Sequence, residues 1–121
     1  MRTMIDKLFQ AAKNKDIDAL DGIFTQDAVM VECTGRTYCG LDEIRRRFAE
    51  VAETGRVTAW DLRRIVQEGE NGAAVWYYEY RDDSGETCSF DGVSVIEMKD
   101  GKIGRWSEFA QTTNKTYPFA D

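Results

Sequence analysis

Histidine is absent from the 121 residues of this sequence. Its absence excludes Ser–His and Cys–His nucleophilic mechanisms and removes the commonest metal ligand. The three cysteines, Cys33, Cys39 and Cys88, are odd in number and lack the close paired spacing of a zinc site or a disulfide framework. We expect them to be reduced, partly buried small apolar residues in a cytoplasmic protein. We expect neither a metal nor another cofactor.

Long apolar runs are also missing. No stretch reaches the roughly 18 apolar residues of a membrane span, and the first residues do not combine a basic start with an apolar run. The sequence has no excess of positive charge, because its net charge is −6. Nucleic acids and anionic membrane surfaces attract clustered cations, so neither is an expected partner.

One basic cluster, Arg45 to Arg47, lies inside a helical pattern. A solvated helix face with Glu43 and Glu50 nearby is favoured over a clamp for phosphate or carboxylate.

The remaining composition is that of an ordinary globular domain. Hydrophobic residues make up 42% of the chain and charged residues 31%. Dividing 121 residues into two domains would leave each half too small to bury a stable core. The sequence therefore predicts one domain over residues 1–121.

Helical periodicity dominates the first half of the chain. Apolar residues at spacings of three and four predict a first helix over residues 4–12. Asp16 is expected to cap a second, short helix that extends to Phe24. A third helix is predicted over residues 42–53, and Ile44 and Phe48 belong to its buried stripe.

Strands and tight turns fill the rest. Short strands are predicted over 28–31 and 37–39, and long strands over 57–67, 73–81, 87–98 and 102–112. The turns between the long strands are short enough to force antiparallel neighbours. The expected fold is α+β: a curved antiparallel sheet of about four long strands plus short strands, with three helices from the N-terminal half closing a cone-shaped pocket. The tail, 113–121, is expected either to be mobile or to dock its aromatic residues at the pocket mouth or on a neighbouring subunit.

Neither face of the predicted sheet is consistently polar. One face must meet the helices, and the other is most simply covered by a second copy of the chain. We expect a homodimer that forms through the outer face of the sheet. The predicted interface consists of Val75, Tyr77, Ile96, Met98, Ile103 and Phe109.

Three segments carry a resemblance to a known family: residues 16–28, residues 40–48, and residues 92–103. Together they resemble the cone fold of the nuclear transport factor 2 superfamily, in its branch of SnoaL-like polyketide cyclases and ketosteroid isomerases. The resemblance covers nearly the whole chain. It implies helices that close over a curved sheet around a small apolar pocket. It does not fix the activity, because the fold hosts isomerases, cyclases, hydrolases, dehydratases and binding modules.

The resemblance also assigns residues. Glu32 occupies the position of the isomerase general base, and a partly desolvated carboxylate at a pocket mouth suits proton transfer near neutral pH. The two oxyanion-hole positions are Leu8 and Val93, neither of which can donate a hydrogen bond. Steroid isomerase chemistry by the known arrangement is therefore not expected.

Two further acids are candidates. Asp91 shares a strand face with Val93, and an acid pair of Glu32 with Asp91 could divide the base and acid roles. Glu108 shares a face with Trp106. The structural alternatives are a solvated Asp91, a Glu108 paired with Arg63 or Arg64, and a Glu32 that faces solvent or pairs with an arginine such as Arg36. The residues expected to line the ligand pocket are Phe48, Trp76, Tyr78, Val93, Trp106 and Glu108.

Two functions remain open on these grounds. The first is an enzyme without a cofactor that uses Glu32 as acid or base on a small apolar or aromatic carbonyl compound, as in isomerisation, cyclisation or dehydration. The second is a non-catalytic ligand-binding or dimerisation module. The acid at the base position favours the first, and the missing oxyanion donors favour the second.

Overall fold

The computed structural model describes residues 1–112, with side chains described through Ala110. The predictions for the tail fall outside these residues. The elements are α1 (Arg2–Asn14), a 3₁₀ helix (Asp18–Gly22), β1 (Phe24–Val31), β2 (Thr37–Cys39), α2 (Leu41–Thr54), β3 (Val57–Glu68), β4 (Asn71–Arg81), β5 (Thr87–Lys99) and β6 (Lys102–Thr112).

The six strands form one sheet in the order β2-β1-β6-β5-β4-β3. Most neighbours are antiparallel, but β1 and β6 are parallel, with Met30 opposite Trp106. The prediction of a purely antiparallel sheet was therefore wrong, although the α+β class is correct. The physical reason is the long connection through α2, β3, β4 and β5, which lets β6 return in the direction of β1.

The helices differ from the prediction in one respect: there are two α-helices and a short 3₁₀ helix. Asp16 accepts a hydrogen bond from the backbone N–H of Ala19 at 3.3 Å, so it does bind the start of this turn. The turn is only five residues long because Phe24 already belongs to β1, where it is buried opposite Ile103.

Each α-helix buries an apolar stripe and ends at a residue with positive φ. α1 buries Ile5, Leu8, Phe9 and Ala11 and ends at Lys15 (φ 56°), and α2 ends at Gly55 (φ 63°). No helix within residues 1–112 combines the length and the apolar character needed to cross a bilayer.

Aromatic rings fill the deep part of the interior. Trp76 and Trp106 are almost completely buried, and the ring of Trp60 meets theirs at centroid distances of 6.0 and 6.2 Å. Phe9 from α1 stacks on Trp60 at 4.1 Å. The rings of Phe48, Tyr78 and Phe90 are only partly buried and pack against this core.

The register of the strands corrects the predicted dimer interface. Ile96 and Ile103 are fully buried, and Ile96 lies opposite Trp106 on the inner face. Met98 packs against the same core. The prediction combined strand faces without knowing how the strands align. The register instead groups the outer face as Val75, Tyr77, Val93, Val95 and Phe109.

Candidate functional site

The parallel pairing of β1 with β6 brings two acids together at the rim of the sheet, where β1 ends. Val31, the last residue of β1, lies opposite Ser107 of β6. Glu32 is the residue after Val31, and Glu108 is the residue after Ser107. The two carboxyl groups are close enough for the negative charge of Glu32 to affect the titration of Glu108.

Glu32 is held by three side chains. Its side chain is 14% exposed. Arg47 Nε donates to Glu32 Oε2 at 2.8 Å, and the Tyr38 hydroxyl donates to Oε1 at 3.0 Å. A longer bond from Thr34 Oγ1, 3.4 Å, completes the set. Glu32 is therefore paired with an arginine, as one sequence alternative had it, but the partner is Arg47 instead of Arg36.

The contact with Glu32 also changes Arg47. Burial alone would lower the pKa of the Arg47 guanidinium, but the hydrogen bond and the negative charge of Glu32 raise it above its usual value. The guanidinium also lies 5.9 Å from the ring centroid of Tyr38. Glu32, Tyr38 and Arg47 thus form a fixed charged group on one side of the rim.

Glu108 is the titratable group of this site. Burial raises its pKa to about 7, and the negative charge of Glu32 acts in the same direction. The indole N–H of Trp106, which donates to Glu108 Oε2 at 3.0 Å, opposes this shift, as do the backbone of Cys33 and the charge of Arg47. A carboxyl group with this pKa can both accept and donate a proton near neutral pH.

The predicted pairing of Glu108 with Arg63 or Arg64 is not formed. The Arg63 guanidinium lies 5.1 Å from the ring centroid of Tyr77, which belongs to the outer face.

Two neighbours of the acids stay protonated. Burial raises the pKa of the Tyr78 hydroxyl, and the charge of Glu108 raises it further. Burial likewise raises the pKa of the Cys33 thiol to about 11, with the charges of Glu108 and Glu32 adding to the effect. Cys33 is therefore a neutral thiol near pH 7 and a poor nucleophile.

Most of the predicted pocket residues share the inner face. Register pairs Tyr78 with Phe90, Trp76 with Gly92 and Glu108 with Ser94. Trp76 donates its indole N–H to the buried Ser94 Oγ at 2.9 Å. The predicted pocket residues on this face are Trp76, Tyr78, Trp106 and Glu108, and Phe48 of α2 packs against the same core.

Asp91 and Val93 lie on the opposite face of the sheet. Asp91 is exposed and aligns with Tyr77, while Val93 aligns with Val75. Side chains alternate along a strand, so the inward positions of this part of β5 belong to Gly92 and Ser94. The structure therefore brings Glu32 together with Glu108 and leaves Asp91 outside. Leu8, one of the two oxyanion-hole positions, is part of the core.

Sequence reasoning missed Tyr38 and Trp60, and it favoured a solvated helix face for Arg47, which instead pairs with the carboxylate of Glu32. Arg47 had a usable signal, because it lies three residues after the inward Ile44 and therefore borders the buried stripe of α2. Tyr38 is the middle residue of the short strand β2, where alternation over three residues gives no clear pattern. Within residues 1–112 no group of three or more potential ligand residues is placed to hold a metal ion.

The fold is shared with solved structures. TerC, co-crystallised with polyporic acid, superposes with a TM-score of 0.79 at 20% identity, covering 90% of this chain and 89% of TerC. A proposed SnoaL-like polyketide cyclase from Jannaschia sp. CCS1 gives 0.77 at 16% identity, with 90% and 83% covered. A protein of ketosteroid isomerase-like fold from Catenulispora acidiphila DSM 44928, in complex with trimethylamine, gives 0.75 at 13% identity, with 88% and 83% covered.

Comparison of the sequence itself identifies the family. No curated protein matches the sequence. The family model of the SnoaL-like domain matches residues 5–106, which is most of the chain. The order of elements, the curved sheet and this match agree with the resemblance found in segments 16–28, 40–48 and 92–103. The chain belongs to the SnoaL-like domain family.

Proposed function

We propose that this protein is an acid/base catalyst without a cofactor, acting on a small apolar or aromatic carbonyl compound by isomerisation, cyclisation or dehydration. Glu108 transfers the proton. Glu32, which the sequence suggested for that role, is instead the fixed negative charge that Arg47 and Tyr38 hold in place. This charge adds to the effect of burial, which is the main cause of the raised pKa of Glu108.

The observation that supports this proposal most directly is the buried position of the Glu108 carboxyl group near Glu32. Its pKa of about 7 results from burial beside a second carboxylate. Proton transfer is most efficient when the pKa of the catalytic group lies near the working pH. A group that only stabilised the fold would gain nothing from this arrangement, since burying an unpaired carboxylate costs free energy.

The relatives support a small-molecule ligand. TerC was crystallised with polyporic acid, and the Catenulispora protein holds trimethylamine. In this chain, the rings of Phe48, Tyr78 and Phe90 are partly buried and pack against the core. Tyr78 is near enough to Glu108 and Glu32 for their charges to act on its hydroxyl, and its ring lies 5.3 Å from that of Phe90. These rings would contact the flat faces of a cyclic ligand.

A non-catalytic binding module is the second candidate. The absence of donors at Leu8 and Val93 favours it, because a developing oxyanion would lack the stabilisation that the isomerases provide.

The two candidates are separated by measuring hydrogen–deuterium exchange at the carbon next to the carbonyl of 2-tetralone, followed by NMR in D₂O. We expect catalysed exchange whose rate rises with pH through about 7, as Glu108 ionises. Glu108→Gln should slow it by about 100-fold or more. Glu97→Gln, an exposed acid of β5, is the matched control. Exchange at the same rate in both variants would favour the binding module.

We further propose that the protein acts in the cytoplasm as a homodimer. Cys33, Cys39 and Cys88 form no disulfide within the described residues, which suits a reducing compartment. The corrected outer face carries apolar residues beside the exposed Asp91, and its Phe109 and Val95 are 60% and 46% exposed. A second copy of the chain covering this face would remove that apolar area from water.

A further inference from the structure

The three tryptophans of the inner face differ in the partners of their indole N–H groups. Trp76 donates to Ser94 and Trp106 donates to Glu108. The Nε1 atom of Trp60 is buried and has no acceptor among the residues whose side chains the structure describes. Buried donors are almost always paired in folded proteins, so this N–H marks a place where an acceptor is expected.

A second donor lies next to it. Tyr78 is the cross-strand partner of Trp60, and paired residues of neighbouring strands project from the same face. Within the described part of the chain, no hydrogen bond engages the Tyr78 hydroxyl. Burial and the charge of Glu108 raise the pKa of this hydroxyl, so it retains its proton and can donate. Two adjacent donors therefore face the interior near Glu108.

We propose that the Trp60 indole N–H and the Tyr78 hydroxyl together bind the carbonyl oxygen of the ligand. This inference rests on the proposed function, because it assigns the donors for the same reaction. The Glu108 carboxylate takes a proton from the carbon next to the carbonyl. The electron pair of that C–H bond forms a carbon–carbon double bond, and the carbonyl oxygen becomes a negatively charged enolate oxygen. Glu108 then returns the proton to carbon.

The donor pair would replace the one that the sequence lacks at Leu8 and Val93. Donors aimed at the oxygen that gains charge are among the largest contributions to such catalysis. The ligand class follows from the walls: a flat cyclic ketone that fits between aromatic rings and presents one oxygen. Trp60, Tyr78 and Phe48 are only partly buried, and the proposed ligand would enter between them.

A matched pair of probes tests the inference: 2-tetralone and tetralin, which share the bicyclic skeleton and differ in the carbonyl. Their affinities are measured by NMR titration, with the ¹⁵N-labelled indole signals as reporters. We expect the ratio of ketone to hydrocarbon affinity to fall by about tenfold in Trp60→Phe and by a similar factor in Tyr78→Phe. In the wild type, the ketone should shift the Trp60 N–H signal downfield, and tetralin should not.

Trp76→Phe is the control for lost packing, since the Trp76 N–H already has a partner in Ser94. It should weaken both probes together and leave the ratio unchanged. The inference is overturned if the ratio is the same in the wild type and in both donor variants, or if the wild type binds neither probe. Tyr78→Phe keeps the test available should Trp60→Phe fail to fold.

The two proposals fail in different ways. If Glu108→Gln abolishes proton exchange but the probe ratio does not depend on the donors, only the donor pair is contradicted. If the ratio depends on Trp60 and Tyr78 but exchange is the same in Glu108→Gln, only the proposed proton transfer is contradicted.

Discussion

The pKa of Glu108 is shifted upward, whereas the pKa values of several acids on the protein surface are shifted downward. Hydrogen bonds from Lys99, Thr58 and Ser84 lower the pKa values of Asp27, Glu79 and Asp82, respectively. These donors stabilise the ionised form of a solvated carboxylate. Burial does the reverse at Glu108, and the hydrogen bonds from the Trp106 indole and the backbone of Cys33 only partly compensate.

This shift makes the stability of the protein depend on pH. The pKa of Glu108 is about 7 in the folded chain and near 4.5 in the unfolded chain. The folded state therefore binds the proton more tightly. The resulting stabilisation is complete below about pH 4.5 and is lost as the pH rises through about 7. We expect a contribution of up to about 3 kcal/mol, measured by urea unfolding at several pH values.

Glu108→Gln provides the comparison for that series. Glutamine does not titrate, so the difference in unfolding free energy between variant and wild type should change between about pH 4.5 and pH 7 and level off above that range. A constant difference from pH 4 to pH 8 would contradict the assigned shift.

Arg47 is expected to act on the proton through charge. Its positive charge lowers the pKa of Glu108. Arg47→Gln should therefore raise the pKa of Glu108 above 7 and shift the pH profile of exchange to higher pH. The measurement is a ¹³C NMR titration of labelled glutamate side chains. Arg46→Gln, at the exposed preceding position of α2, should leave the titration where it was. A lower or unchanged pKa in Arg47→Gln would contradict this assignment.

Residue chemistry was only partly predictable from the sequence. The acid at position 32 came from the resemblance, and alternation placed Glu108 on the same face as Trp106. Alternation also placed Asp91 with Val93, but it could not show that this face of β5 points away from the helices, because that depends on how β5 aligns with β4 and β6. That alignment is a long-range property, and a strand shifted by one residue reverses its faces.

At the scale of elements, β5 shows how close packing sets a requirement on sequence. The ring of Trp76 lies against the backbone of Gly92, and a Cβ atom there would lie 2.3 Å from that ring. Trp76 is fully enclosed and tied to Ser94, so it has little freedom to move aside. Glycine is therefore the residue that β5 accommodates at this position.

Gly92→Ala should accordingly destabilise the protein by about 1–3 kcal/mol, because overpacking forces the indole from its rotamer. Urea unfolding measures the loss. Gly22→Ala is the control, since nothing lies within 4 Å of a Cβ at Gly22. Equal stabilities of the two variants would show that the Trp76 ring relaxes easily.

The bounds of most elements follow from local sequence, whereas their arrangement does not. The strand at Thr37–Cys39 and the strand from Lys102 are bounded by turn residues that act on the nearest neighbours. The parallel contact of β1 with β6 joins distant parts of the chain and leaves no periodic signal. The shortened 3₁₀ helix has the same origin, since Phe24 joins β1 to pack opposite Ile103.

For the whole molecule, the outer face of the sheet predicts the state of association. If Phe109 and Val95 lie in a dimer interface, Phe109→Asp should produce monomers at micromolar concentration, as sedimentation velocity would show. Charge at the centre of an apolar contact is strongly unfavourable. Gln10→Lys, on the exposed side of α1, should leave the association unchanged. A wild type that sediments as a monomer at this concentration would contradict the dimer.

The strand order also has a consequence for how the chain reaches its native state. β1 lies between β2 and β6, so its main partner is the strand synthesised last among the six. While the ribosome is still producing β3, β4 and β5, the edge of β1 that later pairs with β6 has nothing to pair with. The core also still lacks Ile103 and Trp106 of β6, which are fully buried in the folded chain. Nascent chains should therefore remain protease-sensitive until β6 has emerged, and then close in one step.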